Sequence, residues 1–157
     1  VAPDGLRTPQ RLPDVASWFE CFDVVQVNED ELRLIGDDPM EVAARAMERG
    51  VQLFIVTLAE RGAIFFTAGG VDFCAGRRRV RPAPQPIRTA RIEPITVEVL
   101  DPTGCGDVFG GSMVGQLIRG IDVETAVRAA NAAAARNVQY RGATNLHYHL
   151  RGDIVPT

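Results

Sequence analysis

The sequence is poor in the residues that build disulfide frameworks and metal clusters. Its 157 residues include only three cysteines, Cys21, Cys74 and Cys105, scattered along the chain. They form no C-x-x-C pair, and their odd number argues against a closed disulfide framework. A reduced, cytoplasmic setting is therefore expected. The two histidines, His147 and His149, have no nearby cysteine and read as surface residues. No apolar run approaches the roughly 20 residues that a membrane helix needs. No segment reads as a secretory signal, so a membrane is not an expected partner. Positive charge is not in excess: the formal net charge is -3. That argues against a general nucleic-acid binder. Two nucleotide-binding signatures are also missing. There is no G-x-x-x-x-G-K-[ST] phosphate loop, and no G-x-G-x-x-G after the first strand. The second absence leaves a Rossmann dehydrogenase without support.

What remains is a chain rich enough to fold. Hydrophobic residues make up 46%, and the length suits one domain with a real core. The chain opens on Val1 rather than Met, so a piece of a longer protein is expected, with a natural processing product as the alternative. Residues 15–22 suggest a short helix with Trp18 and Phe19 in the core. Residues 22–27 (F-D-V-V-Q-V) read as a strand, after which Asn28 opens a helix through Ile35. Asp38, Pro39 and Glu41 look like a second helix start, in which Glu41 can reach back to the cap. Gly50 ends that helix.

Residues 51–57 are nearly all apolar, as in a strand covered on both faces. Residues 63–67 read as another strand and 71–74 as a short one. Residues 77–91, rich in arginine and proline, read as a loop or edge excursion. There, Arg77, Arg78, Arg79 and Arg81 fit a solvated loop better than a phosphate site. Residues 95–100 alternate as a strand does. Helices are expected over 107–119 and 122–140, with no internal repeat anywhere. Strands alternating with amphipathic helices predict a layered α/β sheet, whose ligands sit beyond the carboxyl ends of the strands. Three polar segments fall at such ends: 28–31, 57–62 and 101–107.

The third of these reads D-P-T-G-C-G-D and continues V-F-G-G. Gly104 and Gly106 permit backbone torsions that other residues resist. A helix starting near Asp107 presents unpaired N–H groups and the positive end of its dipole. Both favour a phosphate or a developing negative charge. A carboxylate at Asp107 can take a proton from an attacking hydroxyl. Gly110, Gly111 and Gly115 would let that helix pack closely. Taken alone, the segment reads better as an ordinary Asp-capped helix after a glycine turn.

The longer string D-P-T-G-C-G-D-V-F-G-G closely resembles the C-terminal signature of the ribokinase-like (PfkB) carbohydrate kinases, commonly D-T-T-G-A-G-D-x-F. Two further segments match in order. N-E-D-E at 28–31 resembles the family's N-x-x-E motif, and V-T-L-A-E-R-G-A at 56–63 resembles its V-T-L-G-x-x-G segment. The resemblance covers nearly the whole chain, yet corresponds only to the C-terminal half of the family's fold. It implies a three-layer α/β/α sandwich, with residues 1–157 as the C-terminal part of one kinase domain. It implies ATP and Mg²⁺ as cofactors, with K⁺ or another monovalent cation in some members.

The resemblance also implies roles. Asp107 would be the general base, and Gly104, Cys105 and Gly106 the anion hole for the transferred phosphoryl group. Thr57, Glu60, Gly62 and Asn131 would line the nucleotide site. Asn28 and Glu31 would organise Mg²⁺ and phosphates through water. Asp101 and Thr103 would lie near the monovalent cation, with the backbone of 137–142 completing that site. The substrate would be a sugar, nucleoside or other small alcohol, placed mostly by the N-terminal half, which is absent here. A truncated sheet invites a partner, either that half or a second copy.

Several residues carry a plainer reading as well. Asn28 and Glu31 could be a cap and its reciprocal partner. Asn131 lies on an apolar stripe and could be a satisfied core amide. Cys105 replaces the family's usual Ala; it reads as an Ala-sized filler, or as a thiol activated by a helix N-terminus. Pro102 replaces a common Thr and removes one N–H. Ala59 replaces a common Gly and makes its loop less permissive. Two functions follow: a kinase phosphorylating an alcohol, or a nucleotide-binding or interaction module without catalysis.

Overall fold

The computed structural model describes residues 10–68, 73 and 86–141. These divide into two compact units. Among the described residues the first holds 10–58, 64–68 and 86–89, and the second 59–63, 73 and 90–141.

The first unit begins with a short helix, Val15–Phe19 (α1), followed by strand Val24–Asn28 (β1). Helices Glu29–Ile35 (α2) and Pro39–Glu48 (α3) then lead to strand Leu53–Thr57 (β2). β1 and β2 pair in parallel, with Val24 opposite Leu53 and Asn28 opposite Thr57. Parallel neighbours need a crossover of this kind. The crossover helices are fixed at their starts. Asp38 caps α3 by accepting from the Met40 N–H at 2.8 Å, and Pro39 occupies the first turn. The reach-back expected of Glu41 is not made; its carboxylate lies 3.8 Å from Arg45 instead. Gly50 ends this segment at φ 106°, a torsion that suits glycine.

Every residue of β2 before Thr57 is buried, as its unbroken apolar run predicts. Phe54 lies at the centre of the first unit's core. Its ring meets Phe19 edge-on at 6.3 Å and Phe66 at 6.4 Å. Val42, Ala43 and Ala46 close the core from α3. Trp18, expected inside, is 47% exposed whereas Phe19 is 4% exposed. The helix is only five residues long and turns one aromatic inward.

Strands Ala63–Ala68 (β3) and Ile87–Ile92 (β4) extend the sheet to the order β1-β2-β3-β4. β4 corrects the loop expected over 77–91, of which residues 77–85 lie outside the described residues. In I-R-T-A-R-I the arginines Arg88 and Arg91 are exposed while Ile92 is buried, so the alternation of a strand was hidden by charge. The opposite error occurred at 95–100. That segment alternates, but among the described residues it belongs to no strand, and Ile95, Val99 and Leu100 are exposed. It is held instead by the Leu100 and Asp101 N–H groups, which donate to the Val138 carbonyl at 2.7 and 3.1 Å. The short strand expected at 71–74 lies outside the described residues, residue 73 apart.

The second unit is dominated by helices Cys105–Ile118 (α4) and Val123–Asn137 (α5), which pack on each other. α4 buries Val108, Phe109, Met113 and Leu117, and α5 buries Ala126, Val127, Ala130 and Ala133. α4 starts two residues before the expected Asp107. Gly111 and Gly115 do not serve close packing: a Cβ on either would meet nothing within 4 Å. No described helix is long and apolar enough to cross a membrane.

Asp122 caps α5 by accepting from the Thr125 N–H at 3.0 Å. That backbone bond, joined by one from the Thr125 hydroxyl, holds the Asp122 carboxyl below its ordinary value of 3.8. A lowered native value stabilises the fold above the ordinary value, and the contribution fades as pH falls through the native one. The gap in unfolding midpoint between the wild type and Asp122→Ala should therefore narrow in acid, as read by urea titrations at several pH values. Phe54→Ala is expected to destabilise the first unit by about 3–5 kcal/mol, read by the same titration at neutral pH.

Candidate functional site

The first unit contributes Asn28, Glu31 and Thr57. Asn28 and Thr57 are direct partners across β1 and β2, at the shared carboxyl ends of the two strands. The Thr57 hydroxyl donates to the Val27 carbonyl at 3.4 Å. Asn28 caps α2, and the plainer reading of N-x-x-E is realised in full. Asn28 Oδ1 accepts from the Glu31 N–H at 2.8 Å, and Glu31 Oε2 accepts from the Asn28 N–H at 2.8 Å. The box is reciprocal and leaves Glu31 exposed, with its second carboxylate oxygen outside the box.

The second unit contributes two groups. In the first, residues Ala59–Arg61 make a single 3₁₀ turn closed by the Gly62 N–H on the Ala59 carbonyl at 3.2 Å. Ala59 takes the left-handed φ of 51°, at a cost of about 1 kcal/mol for a residue with a Cβ. Gly62 has φ 85°, and a Cβ there would lie 2.0 Å from the Ile92 carbonyl oxygen and 3.0 Å from the Pro94 nitrogen. Glycine is thus required at 62 by torsion and by backbone contact together. Asn131 on α5 holds the same backbone: its Nδ2 donates to the Glu93 carbonyl at 3.0 Å. It is a half-buried tether rather than a fully enclosed core amide. Glu60 is exposed.

The second group is the turn feeding α4. Asp101 Oδ1 accepts from the Thr103 N–H at 2.9 Å. Gly104 takes the left-handed φ of 78° and is the N-cap of α4. α2, α3 and α5 are capped by the side chains of Asn28, Asp38 and Asp122, but Gly104 has no side chain to cover the end of α4. Of the three expected anion donors, the Cys105 N–H bonds the Pro102 carbonyl at 3.2 Å. Asp107 stands in the first turn of the helix. It is exposed and, among the described residues, its carboxylate has no hydrogen-bond or ion-pair partner.

One side chain of this group was missed from the sequence, at a position expected to contribute only its backbone. Asn137 is 2% exposed. Its Nδ2 donates to the Thr103 carbonyl at 3.0 Å and to the Cys105 sulfur at 3.1 Å. Its Oδ1 is buried and has no hydrogen-bond partner among the described residues; an unmet acceptor of this kind costs about 1–3 kcal/mol. The signal was present in the sequence: Asn137 follows Ala126, Ala130 and Ala133 at helical spacing, a polar residue on an apolar stripe. Cys105 is half-buried, with its sulfur directed at α5, which favours the filler reading over an activated thiol.

As to cations, Asp101 and Thr103 offer oxygen donors, the hard type that a monovalent cation takes. Glu31 offers one carboxylate oxygen. That suits an Mg²⁺ carried largely by phosphates and water, as this ion commonly is.

The sequence profile of the pfkB family of carbohydrate kinases matches residues 4–148. The 2-dehydro-3-deoxygluconokinase of Thermoproteus tenax is 30% identical over 140 residues, spanning 89% of this chain and 38% of that protein. The ribokinase of Arabidopsis thaliana is 28% identical over 146 residues, spanning 88% of this chain and 33% of that protein. The chain therefore spans well under half the length of these relatives. Among solved structures, a putative ribokinase II of E. coli in complex with ATP and Mg²⁺ matches with a TM-score of 0.66 and 26% identity, covering 87% of this chain and 42% of that one. A nucleoside kinase of Burkholderia thailandensis in complex with inosine matches at 0.57 and 29%, covering 79% of this chain and 36% of that one.

The glycines of the second unit should respond in opposite directions. Gly62→Ala is expected to lose about 2–4 kcal/mol, from the left-handed torsion and the Ile92 contact. Gly115→Ala, in open space on α4, is expected to gain up to about 1 kcal/mol. Thermal and urea denaturation of the two variants would check the contrast.

Proposed function

Because the chain belongs to the pfkB family of carbohydrate kinases, we propose that it carries the nucleotide and phosphoryl-transfer side of an ATP-dependent kinase. The acceptor is a hydroxyl group of a sugar, nucleoside or related small alcohol. The observation that carries the reading is the start of α4. This N-terminus has no side-chain cap, and an exposed carboxylate, Asp107, stands in its first turn.

The chemistry follows from that arrangement. The acceptor oxygen attacks the γ-phosphorus of ATP, the bond from that phosphorus to the β,γ-bridging oxygen breaks, and ADP leaves. The hydroxyl proton passes to the Asp107 carboxylate. Charge on the transferring group falls on the N-terminal end of α4, where Gly104 and Gly106 admit close approach and the helix dipole is favourable. Phosphoryl transfer asks mainly for positioning and charge stabilisation.

The nucleotide side is assigned to Thr57, Glu60, Gly62 and Asn131, the last acting through its hold on Glu93. Asn28 and Glu31 are assigned to Mg²⁺ and phosphate through water, and Asp101 and Thr103 to a monovalent cation such as K⁺. Mg²⁺, when bound, would neutralise phosphate charge. Support for ATP and Mg²⁺ comes from the E. coli relative solved with both. The acceptor is proposed to be held mainly by residues outside this chain, which spans 38% of the Thermoproteus tenax relative.

The test is a panel of sugars and nucleosides offered with ATP and Mg²⁺ to the full-length protein, following ADP and phosphorylated product. At least one acceptor should give the two in equal amounts. Asp107→Asn should lower kcat on the order of 10²- to 10⁴-fold while ATP binding is retained. ATP binding without ADP formation from any acceptor would replace the kinase by a non-catalytic nucleotide-binding module.

A further inference from the structure

The turn before α4 depends on a glycine in the left-handed region. Glycine is the residue least able to hold a conformation by itself. Something else must keep the chain there if the start of α4 is to meet a phosphoryl group in one fixed geometry. Asn137 is placed to do so. Its carboxamide bonds the residue before Gly104, at the Thr103 carbonyl, and the residue after it, at the Cys105 sulfur. Both bonds come from the same nitrogen, Nδ2. With both flanks tied to one buried group, rotation about the Gly104 backbone would break one bond or the other.

The neighbouring residue reinforces the clamp. The Val138 carbonyl receives the N–H groups of Leu100 and Asp101, which form the incoming arm of the same turn. The end of α5 thus registers the loop on both sides of Pro102. The amide orientation is also determined. If the amide were flipped, Oδ1 would face the Thr103 carbonyl oxygen, acceptor against acceptor.

The unmet Oδ1 separates a positioning role from a merely stabilising one. Asn137 sits fully enclosed with one acceptor unsatisfied among the described residues. An apolar side chain of similar size would remove that cost but give up the two Nδ2 bonds, each worth about 0.5–1.5 kcal/mol net, so the terms roughly offset. Asn137 therefore adds little net stability at this site, and what it supplies is geometry.

We infer that Asn137 is a positioning residue: by bridging Thr103 and Cys105 across Gly104 it fixes the start of α4 and the Asp107 carboxylate for phosphoryl transfer. The inference rests on the kinase reading for its consequence, but not for the clamp itself.

The experiment uses the full-length protein and two independent readouts. Asn137→Leu should leave the melting temperature unchanged or raised, and the KM for ATP within about two-fold. It should lower kcat by about 10- to 100-fold, the scale of a small misplacement of reacting groups. Backbone amide exchange at Cys105 and Val108, whose N–H groups bond the Pro102 and Gly104 carbonyls, should quicken. Asn137→Asp, which sets an acceptor against the Thr103 carbonyl, should lower kcat at least as far. Cys105→Ala removes one of the two bonds and should cost less. Its loss should not add in full to that of Asn137→Leu, because both act on one clamp. A wild-type kcat in Asn137→Leu would overturn the inference, as would a fall in kcat matched by a fall in melting temperature with exchange unchanged. If the unaltered protein phosphorylates no acceptor, the kinase reading fails by itself. The clamp is then judged on exchange alone, and unchanged exchange at Cys105 and Val108 overturns it.

Discussion

Strand β2 is buried from Leu53 to Val56, so both of its faces pack, and its register is set by which side chains meet on each face. A slip by one residue would exchange the faces of Phe54 and Ile55 and remove Phe54 from between Phe19 and Phe66. The register puts Asn28 opposite Thr57. Two polar residues thus share one end of a parallel pair in the register that seats Phe54 against Phe19 and Phe66. α2 then starts at once after β1, with Asn28 serving both as the last strand residue and as the cap. In the first unit, the candidate residues are a consequence of the core.

The second unit is organised differently. Its candidate residues lie in turns and on the helices beside them rather than at strand ends, and turns are fixed by backbone torsion and by partners. Gly62 is set by a carbonyl that leaves no room for a Cβ. Gly104 is set by bonds on both sides of it. The two glycines share a left-handed φ, but the constraint at 62 is steric and the constraint at 104 is hydrogen bonding. Repulsion by a packed backbone holds a turn without any side chain. Hydrogen bonding needs a donor supplied from elsewhere, and in this unit the donor comes from α5.

This difference explains what could be read from the sequence. Helix caps were legible because they are local: Asp38 before Pro39, and Asn28 three residues before Glu31. The buried strand 53–57 was legible because it is continuous and apolar. Gly62 and Gly104 could be marked as unusual, since glycine in a motif announces a torsion. Which partner imposes the torsion was not legible, because Ile92 and Asn137 are distant in sequence. The strand at 87–92 and the unpaired segment at 95–100 were misread for a related reason. Alternation shows what a strand's two faces would be, but it does not show whether a neighbouring strand exists to receive its hydrogen bonds. Arg88 and Arg91 looked like loop residues, though an edge strand tolerates such charges and even benefits from them.

The asparagines of α5 complete the argument. Asn131 and Asn137 are six residues apart, so they stand about 9 Å apart along the helix axis and roughly 120° apart around it. They cannot serve the same loop. Asn131 holds Glu93, next to the backbone that Gly62 approaches, and Asn137 holds the turn before α4. An alanine-rich helix with two amides at this offset acts as a ruler for two loops, its small side chains bringing its backbone close and its amides setting the heights. The family resemblance directs attention to the side chain of Asn131, and at 137 to the backbone only. Burial reverses the emphasis, since a half-exposed amide can exchange its partner for water, whereas the enclosed one at 137 has no such alternative.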